Sequence, residues 1–126
     1  HRMHAQLARR RVYLHPLRWT SLGLSLIEAM HLAMPVVALA TTEAHEAVPV
    51  GTGYCSTDVD TLVRRLRELA NDPDRARELG KAARAYAKAR YGLDRFLADW
   101  ELVLGDAVDD LASRRSRVTV DAHGGR

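Results

Sequence analysis

The sequence is poor in cysteine and in aromatic residues, and it contains no long apolar run. Its single cysteine, Cys55, excludes an internal disulfide and a zinc site made of cysteines. Aromatic residues make up 6% of the chain, which is too few for the basic face studded with aromatics that is typical of nucleic-acid-binding domains. No apolar run reaches the roughly 18 residues that a membrane-spanning helix needs. What remains is an ordinary globular domain in which Cys55 is a small core residue.

The length and composition suit one domain with a modest core. The chain has 126 residues, 47% of them hydrophobic and 28% charged, which is unlike a disordered protein. His1, and not methionine, stands first, and no secretory signal pattern follows it. We therefore expect the chain to be processed or cut from a longer protein.

Positive charge is concentrated at the start of the chain. Residues 1–20 contain five arginines and no acidic residue, whereas residues 21–56 contain three glutamates and no lysine or arginine. Three of the arginines are consecutive, Arg9, Arg10 and Arg11. One reading of this run is a basic surface that binds an anionic lipid or nucleic acid. The scarcity of aromatic residues argues against a nucleic-acid partner.

Short apolar segments in the first half predict strands. The sequence predicts a helix end over residues 4–10 and strands over residues 11–15, 36–40 and 52–56. The second strand is apolar throughout, as expected for a strand that is buried on both faces. Between the first two strands, a helix is predicted from Ser21, as its cap, to Ala33, because Pro35 follows. Residues 41–51 are predicted to form a loop.

The second half predicts helices. Thr57 and Asp60 have the spacing of a capping box, with Thr57 as the cap. Apolar residues then recur at helical intervals as far as Leu69. The Asn-Asp-Pro sequence that follows breaks this helix and begins another at Pro73, which Gly92 ends.

A last helix is predicted to end near Gly105, followed by a disordered tail over residues 106–126. Strands that alternate with helices indicate an α/β domain with a parallel sheet. Because most of the helices come last, we expect the closing half of a doubly wound domain, with its opening strands outside this chain.

One acidic residue lies within an otherwise apolar segment. Residues 22–34 read LGLSLIEAMHLAM, in which Glu28 is the only acid. An unpaired carboxylate is costly to bury, so Glu28 lies on a thin exposed stripe, pairs with His31, or binds a ligand. The helix starts beyond a predicted strand end, where open α/β sheets bind ligands, and helix N-termini favour phosphate. A phosphate near Gly23 and a ribose near Glu28 would fit the roughly 7–8 Å between these residues along a helix.

Several motifs follow one another in a recognisable order. They are His15-Pro16, Ser21-Leu22-Gly23-Leu24, Glu28-Ala29-Met30, Pro35-Val36-Val37, Glu46, Gly51, Gly53, Leu79-Gly80 and Tyr91-Gly92. From about residue 11 to residue 104 this order resembles the C-terminal end of a retaining glycosyltransferase of the GT-B fold, the family-four type, or glycosyl transferases group 1. The resemblance implies a Rossmann-like, partial donor-binding domain over residues 1–105. It also implies an enzyme of hexosyltransferase type that moves a sugar from a nucleotide sugar to an acceptor with retention.

The resemblance assigns roles to individual residues. It implies that Glu28 binds the ribose hydroxyls of the donor and that the backbone around Gly23 contacts the donor's phosphate and sugar. Together with the strand-end position and the charge pattern, it predicts a set of donor-binding residues. These are Glu28, Ser21, Leu22, Gly23, Leu24, Arg18 and His15. The family usually needs no tightly bound metal, so neither a metal site nor a cofactor besides the donor is expected.

The chain departs from the family pattern at three positions. Thr20 stands where a glutamate contacts the donor sugar, Thr42-Glu43 replaces a glycine pair, and Ala33 replaces the glycine before Pro-Val-Val. Thr20 and Glu43 are therefore the candidate catalytic residues, Thr20 by hydrogen bonding and Glu43 by negative charge. These departures leave two alternatives open. The chain belongs to a working, divergent branch, or to a non-catalytic GT-B-like module that binds a nucleotide or a partner without transfer.

Fewer sequence features support the remaining candidate site residues. His1 and His4 have the spacing of helical metal ligands but lack a third ligand, while His45 and Trp19 stand near the predicted cleft. The expected partners are the nucleotide-sugar donor and an acceptor that is a sugar, a lipid or a small molecule. We expect a cytoplasmic location, or contact with the inner face of the membrane through an N-terminal domain outside this chain. The chain by itself is expected to be catalytically inactive.

Overall fold

The computed structural model describes residues 2–19 and 21–123. Its elements, in chain order, are α1 (Arg2–Leu7), β1 (Tyr13–His15), α2 (Leu24–His31), β2 (Val36–Leu39), α3 (Ala44–Ala47), β3 (Gly53–Ser56), α4 (Val59–Asn71), α5 (Pro73–Tyr91) and α6 (Leu93–His123). The chain divides into two compact units, one ending at Tyr91 and one beginning at Gly92. The sheet and α1–α5 belong to the first unit, and α6 belongs to the second.

The three strands form one parallel sheet in the order β1-β2-β3. Tyr13 of β1 lies opposite Val36 of β2, which lies opposite Gly53 of β3. Every residue of β2 is buried, because this central strand carries helices over both of its faces. The predicted α/β class, the parallel sheet and its three strands are therefore confirmed, although each strand is shorter than its predicted segment.

Alternate residues of β2 build two halves of the core. Val36 and Ala38 pack with side chains of α2, α3 and α5, whereas Val37 and Leu39 pack with α4 and with the first turns of α5. Successive side chains of a strand point to opposite faces, so a strand in which all four residues are apolar can hold both layers of helices together.

The C-terminal end of α2 closes with two backbone hydrogen bonds. The N–H of Ala33 donates to the carbonyl of Met30 at 2.9 Å, and that of Met34 donates to Ala29 at 3.0 Å. Ala33 has a positive φ of 59°. This combination is the Schellman motif, in which the left-handed position favours glycine. Ala33, where the resemblance implies a glycine, therefore adopts a backbone conformation that is typical of glycine.

Gly80 brings α5 close to this same turn. A Cβ at position 80 would clash with the carbonyl oxygen of Ala33. Only glycine allows the two backbones to approach this closely, so Gly80 sets how tightly α5 packs against the end of α2.

The predicted cap of α2 is wrong. Gly23, and not Ser21, holds the N-cap position, in extended backbone and with no side-chain cap bond. The carbonyl of Ser21 accepts a hydrogen bond from the hydroxyl of Thr42, which holds Ser21 in the bend before the helix. The helix accordingly starts at Leu24, later than the sequence predicts.

The predicted cap of α4 is displaced by one residue. The carboxylate of Asp58, and not the hydroxyl of Thr57, accepts hydrogen bonds from the N–H groups of Asp60 and Thr61, each at 3.1 Å. The hydroxyl of Thr61 donates to the same carboxylate. Two carboxylate oxygens can serve two N–H groups at once, which one hydroxyl oxygen does less well.

Other boundaries also differ from the predictions. The first helix ends at Leu7, and the segment predicted as a loop over residues 41–51 contains the short helix α3. The break at Asp72 and the start of α5 at Pro73 are confirmed. Within the described residues, no helix combines the length and the apolar character that crossing a membrane requires.

The last helix is longer than the sequence predicts. It passes through Gly105 and continues to His123, where a disordered tail was expected from residue 106. Residues 124–126 of that tail lie outside the described residues. Ion pairs at i,i+4 spacing join Arg95 to Asp99 at 3.3 Å and Arg114 to Asp110 at 2.9 Å, and such pairs stabilise a helix that carries one glycine.

Candidate functional site

The loops that follow the three strands meet at the carboxyl edge of the sheet. They surround an open cavity of about 550 Å³, which we call the carboxyl-edge cavity. Its lining comes from all three loops: Arg18 and Trp19 after β1, residues 39–42 at the end of β2, and Thr57 and Val59 after β3. Trp19 is 94% exposed, so its ring is open to a ligand. Ligands of open α/β sheets bind at this edge.

Two threonine hydroxyls tie the loop after β1 to the loop after β2. Thr41 Oγ1 donates to the carbonyl of Leu17 at 2.8 Å, and Thr42 Oγ1 donates to the carbonyl of Ser21 at 3.1 Å. The roles of both threonines could not be predicted from the sequence, because a hydroxyl that donates a hydrogen bond to a distant carbonyl leaves no local pattern. These bonds hold the approach to α2 in place.

Thr42 makes its bond from an unusual backbone conformation. Its φ is 49°, in the left-handed region that β-branched residues rarely adopt. The family pattern places a glycine at this position. Thr42 therefore adopts a backbone conformation that is typical of glycine.

His15 and Gly23 pack directly against each other at the start of α2. His15 ends β1 and is 2% exposed. A Cβ added at position 23 would stand 2.6 Å from His15 Cε1, well inside a normal contact distance. The imidazole thus lies directly against the helix start, and glycine is the residue that fits above it.

The imidazole of His15 is almost completely buried. Burial lowers the pKa of His15 below its usual value of 6.5, because a charged ring would lose its hydration. Its Nδ1 atom is buried, with no hydrogen-bond partner among the described residues. Near neutral pH the ring is uncharged, so His15 supplies no positive charge for a phosphate.

The first turn of α2 offers hydrogen-bond donors to a ligand. No side chain in the described part of the chain caps the helix at Gly23. The first N–H groups of a helix have no partner within the helix, and the dipole adds about half a positive charge there. Residues 21–56 contain no lysine or arginine, so the nearby cation in the sequence is Arg18, which lines the carboxyl-edge cavity.

Glu28 lies on a half-exposed stripe of α2. Its side chain is 45% exposed, and its Oε1 stands 3.9 Å from Nε2 of His4, on α1. Ile27 and Ala29, on either side of it, are buried. The exposed stripe is therefore the reading that the structure favours, and the histidine that approaches the carboxylate is His4 instead of His31. The carboxylate retains room to accept hydrogen bonds from a ligand.

The other predicted site residues are spread around the same edge. Leu22 is half-buried and packs against the core, while Ser21 and Leu24 are exposed. Glu43 is exposed and holds the N-cap position of α3. Thr20 lies outside the described residues, so its predicted role is not tested.

The remaining titratable groups near this end form no metal centre. Within residues 2–19 and 21–123, no group of three histidine, cysteine, aspartate or glutamate side chains is placed to hold a metal ion. His45 lies 3.9 Å from Glu46, and both are exposed. Burial raises the pKa of the Cys55 thiol, which keeps it protonated and unreactive near neutral pH.

Three comparisons place the chain among known proteins. The family described as "Glycosyl transferases group 1" matches residues 1–86. The GDP-mannose-dependent monoacylated alpha-(1-6)-phosphatidylinositol monomannoside mannosyltransferase of Corynebacterium glutamicum is 32% identical over 98 residues, which are 76% of this chain and 24% of that protein. The solved structure of sucrose-phosphate synthase from Thermosynechococcus elongatus matches with a TM-score of 0.61 and 26% identity, over 80% of this chain and 26% of that one. The chain thus spans about a quarter of the length of each of these relatives.

Proposed function

Because this chain belongs to the glycosyl transferases group 1 family, we propose that it forms part of the donor-binding side of a retaining glycosyltransferase. Its three-stranded parallel sheet with helices is similar to the GT-B glycosyltransferase structure. The observation that carries the proposal is the start of α2 at the carboxyl edge, which no side chain of the described residues caps and where Gly23 lies directly against the buried ring of His15.

The donor's diphosphate would lie at the first turn of α2. The free N–H groups of Leu24 and Ser25, together with the helix dipole, favour an anion there. Arg18 is the cation available from the loop after β1. His15 supports this arrangement from below, because its uncharged ring fills the space under Gly23 and holds the helix start in place.

The donor's ribose would lie beside Glu28. Five residues of helix separate Glu28 from Gly23, or about 7.5 Å at the usual rise, which suits a ribose attached to a diphosphate. A carboxylate accepts hydrogen bonds from two neighbouring hydroxyls. Among the described residues, the polar partner found for the Glu28 carboxylate is His4, whose Nε2 lies 3.9 Å from Oε1. This distance is too long for a hydrogen bond, so a ribose meets no tight competing bond.

The transfer of the sugar would depend on the start of α2, which would stabilise the negative charge of the departing nucleoside diphosphate. When the bond between the sugar and the nucleoside diphosphate breaks, negative charge develops on the departing phosphate, and fixed N–H donors stabilise it. Glu43, at the start of α3, is our candidate for the negative charge near the reacting carbon, and Thr20 is our candidate for a hydrogen bond to the sugar. The donor is a nucleotide sugar, and the acceptor is a sugar, a lipid or a small molecule, with the reaction taking place in the cytoplasm or at its membrane face.

The donor site is tested by titration. GDP-mannose, taken from the name of the mannosyltransferase relative, and GDP are added to the chain and to the full-length protein, and binding is followed by calorimetry. Glu28→Gln is expected to weaken binding about tenfold or more, because it replaces hydrogen bonds to a charged group. The matched control is Glu101→Gln, an exposed glutamate on α6. Unchanged affinity of Glu28→Gln for every nucleotide that the unaltered protein binds would show that the ribose role is wrong.

A second candidate is a module that binds a nucleotide sugar without transferring the sugar. It is favoured by the replacement of the family's glutamate by Thr20 and of its glycine pair by Thr42-Glu43. The full-length protein separates the two candidates in an assay for sugar transfer and donor hydrolysis. Detectable turnover eliminates the second candidate, and tight donor binding without turnover eliminates the first.

A further inference from the structure

A second open cavity lies at the opposite, amino edge of the sheet. It has a volume of about 550 Å³, and we call it the amino-edge cavity. Val12 and Pro35, which directly precede β1 and β2, line one side of it, and Ala70 and Pro73, at the junction of α4 and α5, line the other. The cavity is therefore lined by residues other than those of the proposed donor site.

The charged residues that line the amino-edge cavity are all basic. Four arginines and no acidic residue belong to its lining: Arg9, Arg10, Arg11 and Arg77. Arg77 is partly neutralised, because its Nη2 lies 2.8 Å from Oδ1 of Asp74. The excess positive charge therefore comes from the three consecutive arginines.

Hydrogen bonds hold this run of arginines at the rim. Arg11 Nη1 donates to the carbonyl of Ala70 at the end of α4, which spans the cavity. In the turn after α1, the N–H of Arg10 donates to the carbonyl of Leu7 at 2.8 Å. The side chains of Arg9 and Arg10 are exposed. One guanidinium is thus fixed, and its two neighbours are free to close on a ligand.

We propose that the amino-edge cavity binds a phosphate group through Arg9, Arg10 and Arg11. Three like charges at one rim repel one another, and an anion between them relieves the repulsion. Guanidinium groups present paired N–H donors that match the oxygens of phosphate. Apolar side chains of Val12, Pro35 and Ala76 line part of the remaining wall. The phosphate belongs either to a free phosphorylated molecule or to the headgroup of an anionic lipid, since both present the same chemistry.

The first arm of the test uses free phosphate. Inorganic phosphate and pyrophosphate are titrated into the 126-residue chain at low salt while its backbone amide signals are followed by NMR. Saturable shifts are expected at residues 9–12 and at Ala33 and Ala76, and they should weaken as the salt concentration rises. Shifts confined to Leu24 and Ser25 would place the anion at the donor edge, which would overturn this proposal and leave the proposed function intact.

Matched variants test whether these arginines bind the phosphate. Arg9→Gln and Arg10→Gln are each expected to weaken the affinity about twofold to fivefold, as for one exposed charge pair. Arg84→Gln, which removes an exposed charge elsewhere on α5, should leave it unchanged. Neither Arg9 nor Arg10 contributes to the core, so the variants are expected to keep the circular dichroism of the unaltered chain. Equal losses in all three variants would mean a general charge effect and would overturn the proposal.

The second arm uses membranes. The chain is sedimented with vesicles of phosphatidylcholine, with and without phosphatidylglycerol. Binding that needs phosphatidylglycerol and is lost in Arg10→Gln identifies a lipid headgroup, and binding of phosphate alone identifies a free molecule, so either result supports the site. The proposal fails if neither ligand binds. It also fails if only a duplex nucleic acid binds, because that result would assign the arginines to a different class of partner.

Discussion

His15 is the residue on which the proposed donor edge depends most directly. It ends β1, it is almost completely buried, and its ring leaves no room for a Cβ at Gly23. Two separate motifs of the sequence indicated His15 and Gly23 as candidate site residues, but their contact has no local signature, since eight positions separate them in the sequence. The sequence thus indicated both residues as candidates without predicting that they lie against each other.

The stability of the chain is expected to depend on pH through His15. Its pKa is lowered in the folded state by burial, so the unfolded chain takes up the proton more readily. The contribution of the neutral ring is complete above the unfolded pKa near 6.5 and is lost as the pH falls below that value, until the folded pKa is reached. Urea unfolding at a series of pH values between about 5 and 8 measures this slope.

Two variants isolate the contribution of His15 from those of the other histidines. His15→Asn should flatten the pH dependence, whereas His45→Asn, at an exposed position, should not. A slope that is the same in the unaltered chain and in a folded His15→Asn variant would contradict the prediction.

Among the elements, α2 and β2 are each followed by a residue other than glycine that has a left-handed backbone conformation. Ala33 after this helix and Thr42 after β2 both stand where the family has glycine, and they have φ values of 59° and 49°. Thr42 is stabilised by its hydrogen bond to the carbonyl of Ser21. Ala33 has no side-chain polar group that could offset the cost in this way.

Ala33→Gly is expected to stabilise the chain. It removes the steric cost of a left-handed alanine, and the unfolding free energy should rise by about 0.5–1 kcal/mol. Ala85→Gly, at an exposed position in the middle of α5, is the control and should lower it by about 1 kcal/mol. Chemical unfolding measures both changes, and a lower stability of Ala33→Gly would disprove the idea that position 33 is strained.

At the start of α4, the residue that the sequence pattern predicts as the cap differs from the residue that makes the cap hydrogen bonds. Asp58→Ala is expected to lower the melting temperature, because it removes the acceptor of two backbone N–H groups and of the hydroxyl of Thr61. Thr57→Ala, which alters the residue that the sequence pattern selected, should have little effect. Thermal unfolding followed by circular dichroism measures the melting temperature of both variants. A larger decrease for Thr57→Ala than for Asp58→Ala would show that Thr57 is the cap of α4, as the sequence predicts.

At the scale of the whole molecule, charge distinguishes the two edges of the sheet. The amino-edge cavity is lined by four arginines, whereas the carboxyl-edge cavity has one, Arg18. The carboxyl edge therefore relies on backbone N–H groups for an anion, while the amino edge relies on side chains. The two edges are expected to respond differently to salt, because exposed charges are screened more than helix N–H groups that a bound ligand covers.

The chain by itself is expected to bind a nucleotide sugar without transferring the sugar. It spans about a quarter of the length of the relatives that it matches, and a transfer reaction also needs a surface that holds the acceptor. Incubation with labelled nucleotide sugars and an extract of acceptors measures transfer directly. Product formed by the isolated chain above the level without protein would contradict this expectation.

The amino-acid sequence by itself determined the three parallel strands, the break before Pro73 and the placement of Glu28 on the helix after β1. These features follow from apolar periodicity, proline and glycine, which act over a few residues. Only the tertiary structure decided that His15 lies beneath Gly23, that His4 and not His31 approaches Glu28, and that threonine hydroxyls join two loops. Such contacts depend on which loops become neighbours when the sheet forms, and the energy of a single hydrogen bond is too small to leave a pattern in the sequence.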